Sequence, residues 1–304
     1  MDLGTANTRI YRQGVGLVLN EPSWAALETE TRRVLAVGRE AKSCLGRTPR
    51  GMEVIRPLKG GGDFAAGREM IRRFLARAGV SRRLFRPKLV AGAPDWLTPP
   101  GRRAIIEAAE EAGCREVRLA DESLAAAMGL DIAGRMILDV GGAVSVIALP
   151  GAFSEPFPLG GDAATEAVAR YLRREYSLDV GENTAEQVKM AVGAPGKIQC
   201  RGKDAATGLP KSAELDPSGL GEALEEVTRE LAGLVGRLMC RLPPESAELH
   251  LTGGGSLMAG LREALARDTG LKVEVPEHPF LSVVSGLGRM LENLPRYRRF
   301  LQND

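Results

Sequence analysis

Three glycine-containing turns carry the residues most able to do chemistry in this chain. They read DLGTANT from Asp2, DVGGAV from Asp139 and LTGGGSL from Leu251. Glycine lets the backbone turn tightly and brings its N–H groups close to a ligand, which suits an anion such as phosphate. Any one of these turns is also what an ordinary hairpin contains. The three together favour a phosphate-binding site.

Side chains around the turns extend this interpretation. Thr5, Asn7 and Thr8 add hydrogen-bond donors, and the third turn is predicted to lead into a helix N-terminus, where an anion is favoured. Asp2 and Asp139 are too negative to bind phosphate directly. If they face the phosphates from two sides, they would hold a magnesium ion, often through water.

Alternating strands and helices must position these turns, and this order predicts the α/β class. Ile137 to Gly151 reads as strand, glycine turn and strand, and the following GGDAATEAVARYLRREY reads as a helix with Asp162 as its N-cap. A long helix is predicted near residues 220–242. Its apolar stripe indicates packing against a sheet, with a coiled coil as the alternative; it comprises Leu220, Leu224, Val227, Leu231, Leu234 and Leu238.

The composition excludes several other classes of protein. The 304 residues suggest about two domains, and with 44% hydrophobic and 26% charged residues they can build a sizeable core. The net charge of +2 argues against a general nucleic-acid binder. His250 and His278 are the only histidines, which disfavours a histidine-rich metal site. Four scattered cysteines, no transmembrane-length apolar run and no signal peptide predict a cytoplasmic protein.

Several longer motifs resemble those of one family, both in their sequences and in their order along the chain. They include DLGTANTRIY, GLVLNEPS, RPKLVAGAP, AAEEAGCREVRLADESLAAAMG, TGLPKS and ELHLTGGGSL. Together they are similar to the rod-shape-determining MreB family, the bacterial actins of the actin-type ATPase superfamily, and the resemblance covers essentially the whole chain.

The resemblance implies an actin-like α/β fold with two lobes, each built on a mixed sheet with flanking helices. ATP and Mg²⁺ would lie in the cleft between the lobes. Lobe I would comprise residues 1–138 plus 281–304, with a smaller subdomain at about 20–60. Lobe II would comprise residues 139–280, with a smaller subdomain at about 168–220.

The resemblance also implies roles for individual residues. Glu122 matches the acid that orients the attacking water; by itself it is equally an acid that complements a helix dipole. Asp2 and Asp139 match the acids that hold magnesium. The positions expected to contact the nucleotide are Gly4, Thr5, Ala6 and Asn7, then Gly141 and Gly142, then Glu186, Gln187, Val188 and Lys189 beside the adenosine, and Gly254, Gly255, Ser256 and Leu257 on the adenine side. Without the resemblance, Glu186 and Lys189 are equally a solvated helix face.

The second turn departs from the family pattern. Ala143, Val144 and Ser145 stand where the family has a third glycine and two threonines, and the turn is a few residues shorter. Hydrolysis depends on a placed water and on donors aimed at developing charge. The departure therefore predicts nucleotide binding with slow hydrolysis, or a nucleotide-binding scaffold with little or none. A metabolic kinase of the same superfamily is the further alternative.

A short segment, SRRLFRPK from Ser81 to Lys88, predicts membrane contact. Leu84 and Phe85 are adjacent bulky apolar residues among arginines, and the resemblance implies that they form a membrane-insertion loop. The alternative is that both tuck into the core. The expected partners are other copies of the chain in a filament, the inner face of the cytoplasmic membrane and the cell-elongation machinery, without nucleic acid.

Overall fold

A computed structural model describes residues 1–60, 62–80, 86–94, 97–132, 134–239 and 248–302. The chain forms two compact units. The first comprises Met1–Ile137, Ala148–Pro156 and Phe280–Asp304, and the second comprises Leu138–Ile147 and Phe157–Pro279. Both units combine strands and helices, as the α/β prediction requires. The smaller subdomains inside each lobe stay predictions.

The first unit contains sheets with the strand orders β1-β2-β3, β5-β4-β6 and β17-β8-β7. Its strands are β1 Asp2–Leu3, β2 Asn7–Arg12, β3 Gly16–Pro22, β4 Ala25–Glu28, β5 Val34–Val37, β6 Met52–Ile55, β7 Lys88–Ala93, β8 Glu116–Asp121 and β17 Leu301–Gln302. Its helices are α1 Arg39–Ser43, α2 Phe64–Arg77, α3 Pro99–Ala112, α4 Glu122–Leu130, α9 Ser282–Glu292 and α10 Leu294–Tyr297.

Capping residues explain where the helices of the first unit begin and end. Asp63 caps α2 and Asp121 caps α4, each accepting a hydrogen bond from a backbone N–H three residues on. Gly113 ends α3 in the left-handed conformation, as its position in the sequence predicts. The apolar face of α2, with Met70, Phe74 and neighbouring residues, is fully buried in the main core cluster.

Helices α4 and α9 approach each other unusually closely, and two glycines make this possible. A Cβ on Gly129 would overlap the carbonyl of Ser282, and a Cβ on Gly286 would overlap the carbonyl of Ala125. Because α4 begins with Glu122, this contact also fixes the position of that carboxylate within the first unit.

The second unit contains the sheet β12-β13-β14. A five-stranded sheet has the order β11-β10-β9-β15-β16, and of its strands β15, β16 and the turn-side ends of β9 and β10 belong to the second unit. The strands are β9 Met136–Val140, β10 Ser145–Leu149, β11 Phe153–Phe157, β12 Leu178–Asp179, β13 Ile198–Asp204, β14 Pro210–Leu215, β15 Glu248–Thr252 and β16 Lys272–Glu274. The helices are α5 Gly161–Tyr176, α6 Glu182–Ala191, α7 Pro217–Met239 and α8 Leu261–Thr269. Short 3-10 helices lie at Gly254–Leu257, Pro279–Leu281 and Arg298–Phe300.

The long helix α7 packs against α5 and α8. Leu220, Leu224 and Leu231 are fully buried, so the predicted stripe does face the interior.

Within the ranges that the structure describes, no helix combines the length and the apolar character needed to cross a membrane.

Candidate functional site

The first glycine turn joins the antiparallel strands β1 and β2. Leu3 lies opposite Thr8, and Gly4 to Ala6 make the turn between them. A Cβ on Gly4 would come within 2.8 Å of the Asn7 carbonyl, so the turn is tight enough to require glycine there.

Ser23 holds this turn from the next strand connection. Its backbone N–H donates to the Ala6 carbonyl at 2.9 Å, and its hydroxyl donates to the Gly4 carbonyl at 2.6 Å. The hydroxyl of Thr8 lies 2.9 Å from that of Ser23, and both side chains are fully buried. Thr8 therefore supports the turn rather than presenting a donor to a ligand. Ser23 was not among the predicted site residues.

Asp2 lies at the base of the same turn and pairs with Arg9. The two residues are cross-strand partners, and Arg9 Nη1 lies 3.1 Å from Asp2 Oδ2. Burial raises the pKa of Asp2, and the charge of Arg9 and its hydrogen bond oppose that rise. Since the Asp2 carboxylate is already paired with Arg9, it is poorly suited to hold a magnesium ion. Among the described residues, no group of three or more His, Cys, Asp or Glu side chains could hold a metal ion.

Glu122 is the first residue of α4, directly after the cap Asp121. Its Cγ atom would lie 3.2 Å from a Cβ on Gly92, so it packs against strand β7. The N–H of Gly92 donates to the Met1 carbonyl at 2.8 Å, which brings β7 beside the start of β1. Glu122 thus belongs to the same unit as the first glycine turn. Its position at a helix N-terminus agrees with its alternative role as an acid that complements the helix dipole.

The second glycine turn is a tight hairpin between β9 and β10. The N–H of Gly141 donates to the Val144 carbonyl at 3.0 Å. The N–H groups of Gly161 and Asp162, at the start of α5, donate to the carbonyls of Gly141 and Gly142 at 2.9 and 2.8 Å. These helix donors are therefore engaged by the turn itself. Asp162 was predicted as the N-cap of α5, and that prediction is wrong because the cap is Gly160.

The hydroxyl of Ser145, at the end of the shortened turn, is bonded within the protein. The side chain is fully buried, and its hydroxyl donates to the Leu159 carbonyl. The hydroxyl is therefore engaged within the protein.

The third glycine turn lies directly against the end of β9. Gly253 has a φ of +79°, and a Cβ there would overlap Asp139 Oδ1. A Cβ on Gly255 would come within 2.9 Å of the Val140 carbonyl. By contrast, a Cβ on Gly254 would meet no atom within 4 Å, so this residue borders open space. The second and third turns are thus brought together at Asp139.

Two details complete the third turn. Ser256 donates its hydroxyl to the Gly253 carbonyl at 2.6 Å, which closes the 3-10 turn, while Leu257 is exposed. The buried hydroxyl of Thr252, just before the turn, has no hydrogen-bond partner in the described parts of the chain. A buried hydroxyl without a partner and open space at Gly254 are both compatible with a bound ligand.

Helix α6 carries the residues expected beside the adenosine. Lys189 Nζ donates to the Gly161 carbonyl and to Thr165 Oγ1, both at 2.9 Å, which ties α6 to the start of α5. Val188 is buried in the core, Glu186 is half-buried and Gln187 is exposed. Through Lys189, helix α6 therefore contacts the start of α5, whose first N–H groups bond the second turn.

The predicted residues divide between the two units. Asp2, Gly4 to Asn7 and Glu122 belong to the first, and the residues of the second and third turns and of α6 belong to the second. Leu84 and Phe85 lie outside the described residues. Arg9 and Ser23 are the additions made by the structure. Both lie in motifs quoted above, but their roles come from the structure: the cross-strand register pairs Arg9 with Asp2, and hydrogen bonds join Ser23 to Gly4 and Ala6.

Comparison with known proteins gives consistent matches. The family model described as MreB/Mbl protein matches residues 1–299. Cell shape-determining protein MreB of Escherichia coli (strain K12) is 40% identical over 324 residues, covering 96% of this chain and 92% of the relative. Cell shape-determining protein Mbl of Bacillus subtilis (strain 168) is 35% identical over 319 residues, covering 97% and 96%.

Two structures show the fold. MreB 5 of Spiroplasma citri bound to AMPPNP matches with a TM-score of 0.88 and 26% identity, covering 98% of this chain and 96% of that one. The MamK double helical filament matches with a TM-score of 0.78 and 20% identity, covering 97% and 98%. The fold is therefore actin-like, as predicted.

Proposed function

Because this chain belongs to the MreB/Mbl family, we propose that it is an ATP-binding actin homologue that forms filaments at the membrane. Its role is to help determine cell shape by organising cell-wall synthesis together with the cell-elongation machinery. Relatives at 40% and 35% identity are described as cell shape-determining proteins, which supports this role.

Nucleotide binding is supported above all by the contact of the third turn with Asp139. Gly253 and Gly255 bring the backbone against the end of β9, while Gly254 borders open space. Glycine turns of this kind present N–H groups to phosphate or ribose. A relative with the same fold is described as bound to AMPPNP. The expected magnesium ion would come with the nucleotide, and Asp139 would approach it through water.

The test is the melting temperature with and without ATP. A ligand at a hundredfold excess over its Kd stabilises the folded state by about 2.7 kcal/mol. Gly254→Asp should abolish the shift while leaving the fold intact, because a side chain there meets open space. Gly221→Asp, also in open space but within α7, should keep the shift. No shift in the parent protein would contradict ATP binding.

Self-association is supported by the fold shared with a structure described as a double helical filament. Pelleting and negative-stain microscopy with and without ATP test it directly. We expect filaments that depend on ATP, and a protein that stays dispersed under all nucleotide conditions would contradict this part of the proposal.

Membrane association rests on Leu84 and Phe85 and on the arginines around them. Two apolar side chains in the bilayer contribute about 3 kcal/mol, and a filament multiplies that contact along its length. Leu84→Ser/Phe85→Ser should therefore lose co-sedimentation with anionic liposomes. Val15→Ser/Leu209→Ser removes two exposed apolar side chains elsewhere and should co-sediment like the parent. Equal pelleting of all three proteins would exclude this segment as the anchor.

A nucleotide-binding scaffold with little hydrolysis is the second candidate. The observation that favours it is the second turn, where the N–H groups of Gly161 and Asp162 and the hydroxyl of Ser145 are engaged by protein carbonyls. These groups are therefore not available to the charge that develops during hydrolysis.

A further inference from the structure

Arg9 is a partly buried cation at the base of the first glycine turn. Its side chain is 12% exposed and that of Asp2 is 8% exposed, and 3.1 Å separate Arg9 Nη1 from Asp2 Oδ2. The guanidinium lies 5.6 Å from the centre of the Phe280 ring. The register that pairs residues 2 and 9 and this aromatic contact hold the guanidinium in one place.

One donor of this guanidinium is not used within the described parts of the protein. The Nε atom of Arg9 is buried and has no hydrogen-bond partner there. Protein atoms cover Nε, so a ligand would reach this guanidinium through its terminal nitrogens, in the part of the side chain that is still exposed. An arginine fork can pair with a carboxylate and also donate to a phosphate, which suits a position between Asp2 and an anionic ligand.

The charge of Arg9 changes what the site needs from a metal ion. An acid beside a polyphosphate requires a cation, since the two negative groups otherwise repel each other. Arg9 already places a positive charge next to Asp2, and this charge belongs to a side chain of the protein itself. A divalent cation at the same carboxylate would meet a like charge at close range, which opposes its binding.

We propose that Arg9 takes the place of a divalent cation at Asp2, so that this protein binds nucleoside triphosphate with little dependence on magnesium. The proposal rests on the ATP binding proposed above and adds a property of that site. Arg9 acts as a ligand-binding residue for the phosphates, and Asp2 acts by holding Arg9 rather than a metal.

The experiment compares ATP affinity in excess EDTA with that in excess MgCl₂. For the parent protein we expect the two Kd values to agree within about threefold. Arg9→Leu should weaken binding in EDTA by about tenfold or more, and magnesium should restore part of it. Arg9→Lys keeps the charge and should bind in EDTA better than Arg9→Leu. Arg12→Leu, a matched loss of charge on the exposed end of the same strand, should behave like the parent.

The outcomes separate the two proposals. If the parent binds ATP only with magnesium, Arg9 does not replace the ion. This measurement uses the parent protein alone, so its result does not depend on whether a variant folds. If Arg9→Leu is folded and shows the same small magnesium dependence as the parent, the assignment of Arg9 is also overturned. If ATP binds under neither condition, the proposed nucleotide-binding function fails, and the role of Arg9 fails with it.

Discussion

Gly253 packs so closely against Asp139 that a Cβ at residue 253 would overlap the Oδ1 atom of the acid. Its φ of +79° lies in the left-handed region, which side chains other than glycine rarely adopt. This contact joins the second and third turns of the second unit. It therefore fixes the carboxylate for which the sequence predicts a magnesium contact.

Gly253→Ala should lose both stability and ATP binding. The strained backbone and the overlap with Asp139 should cost about 2 kcal/mol of the free energy of unfolding. Urea denaturation and the ATP-induced melting shift measure the two effects. Gly254→Ala is the matched control, because its Cβ meets nothing within 4 Å. Equal behaviour of the two variants would show that the close packing at Gly253 does not matter.

Ser23→Ala should loosen the first glycine turn. The hydroxyl of Ser23 donates to the Gly4 carbonyl, and its loss leaves a partly buried acceptor without this partner, which costs about 1 kcal/mol. We expect weaker ATP binding in addition to lower stability. Ser43→Ala removes an exposed hydroxyl that also donates to a carbonyl and should change neither property. An unchanged ATP affinity in Ser23→Ala would show that the turn keeps its geometry without this contact.

The sequence predicts much of this fold because its main signals are local. Ile137 to Gly151 forms the predicted pair of strands β9 and β10, and Gly113 ends α3 as expected. The family motifs and the fold agree with the matches to relatives. Towards the end of α7 the predicted stripe departs from the buried face of the helix. Val235 is buried there, while Leu234 and Leu238 are only partly buried. A straight helix repeats every 3.6 residues rather than every 3.5, so the buried face rotates along its length.

The site was harder to predict because its decisive contacts join residues distant in sequence. Arg9 matters because its strand register places it opposite Asp2, and Ser23 matters because it reaches back over 19 residues to Gly4. The place of Lys189 beside the adenosine stays a prediction, and the sequence did not indicate that its amine contacts Gly161 and Thr165. No composition or spacing rule identifies such partners.

The β13–β14 hairpin should lose stability in acid through Asp204. Its carboxylate accepts hydrogen bonds from Lys211 Nζ and from Thr207 and Ala206, which hold the pKa of Asp204 below its ordinary value of 3.8. A depressed folded-state pKa gives stability above the unfolded value that is lost as the pH falls through the folded value. The stability difference between the parent and Asp204→Asn should therefore be constant near neutral pH and shrink below about pH 4. Denaturation at several pH values measures it, and a difference that grows in acid would contradict this assignment.

Gly286→Ala should destabilise the first unit strongly. Its Cβ would overlap the Ala125 carbonyl where α9 crosses α4, and overpacking of this kind costs about 3 kcal/mol. Gly221→Ala in α7 is the matched control, since its Cβ meets open space, and it should stabilise the protein by up to about 1 kcal/mol. Urea denaturation of both variants tests the contrast. Two variants of equal stability would mean that the helices can separate without loss.

ATP hydrolysis should be slow, and the second turn should be the reason. The N–H groups of Gly141, Gly161 and Asp162 donate to protein carbonyls, so these three donors are not aimed at a phosphate. Inserting a glycine and two threonines after Gly142 should raise the rate of phosphate release by about tenfold, which corresponds to about 1.4 kcal/mol of activation free energy. Inserting three alanines at the same place lengthens the turn without hydroxyls and should give a smaller gain.

Glu122→Gln separates this explanation from a defect elsewhere. If the short turn limits ATP hydrolysis in the parent protein, loss of the Glu122 carboxylate should change the hydrolysis rate by less than about threefold. The reason is that the hydrolysis step is already slow. In the protein with the longer turn, the same substitution should remove most of the gain, since a correctly placed phosphate again depends on an oriented water. Fast turnover by the parent, abolished by Glu122→Gln, would show that the short turn does not limit hydrolysis.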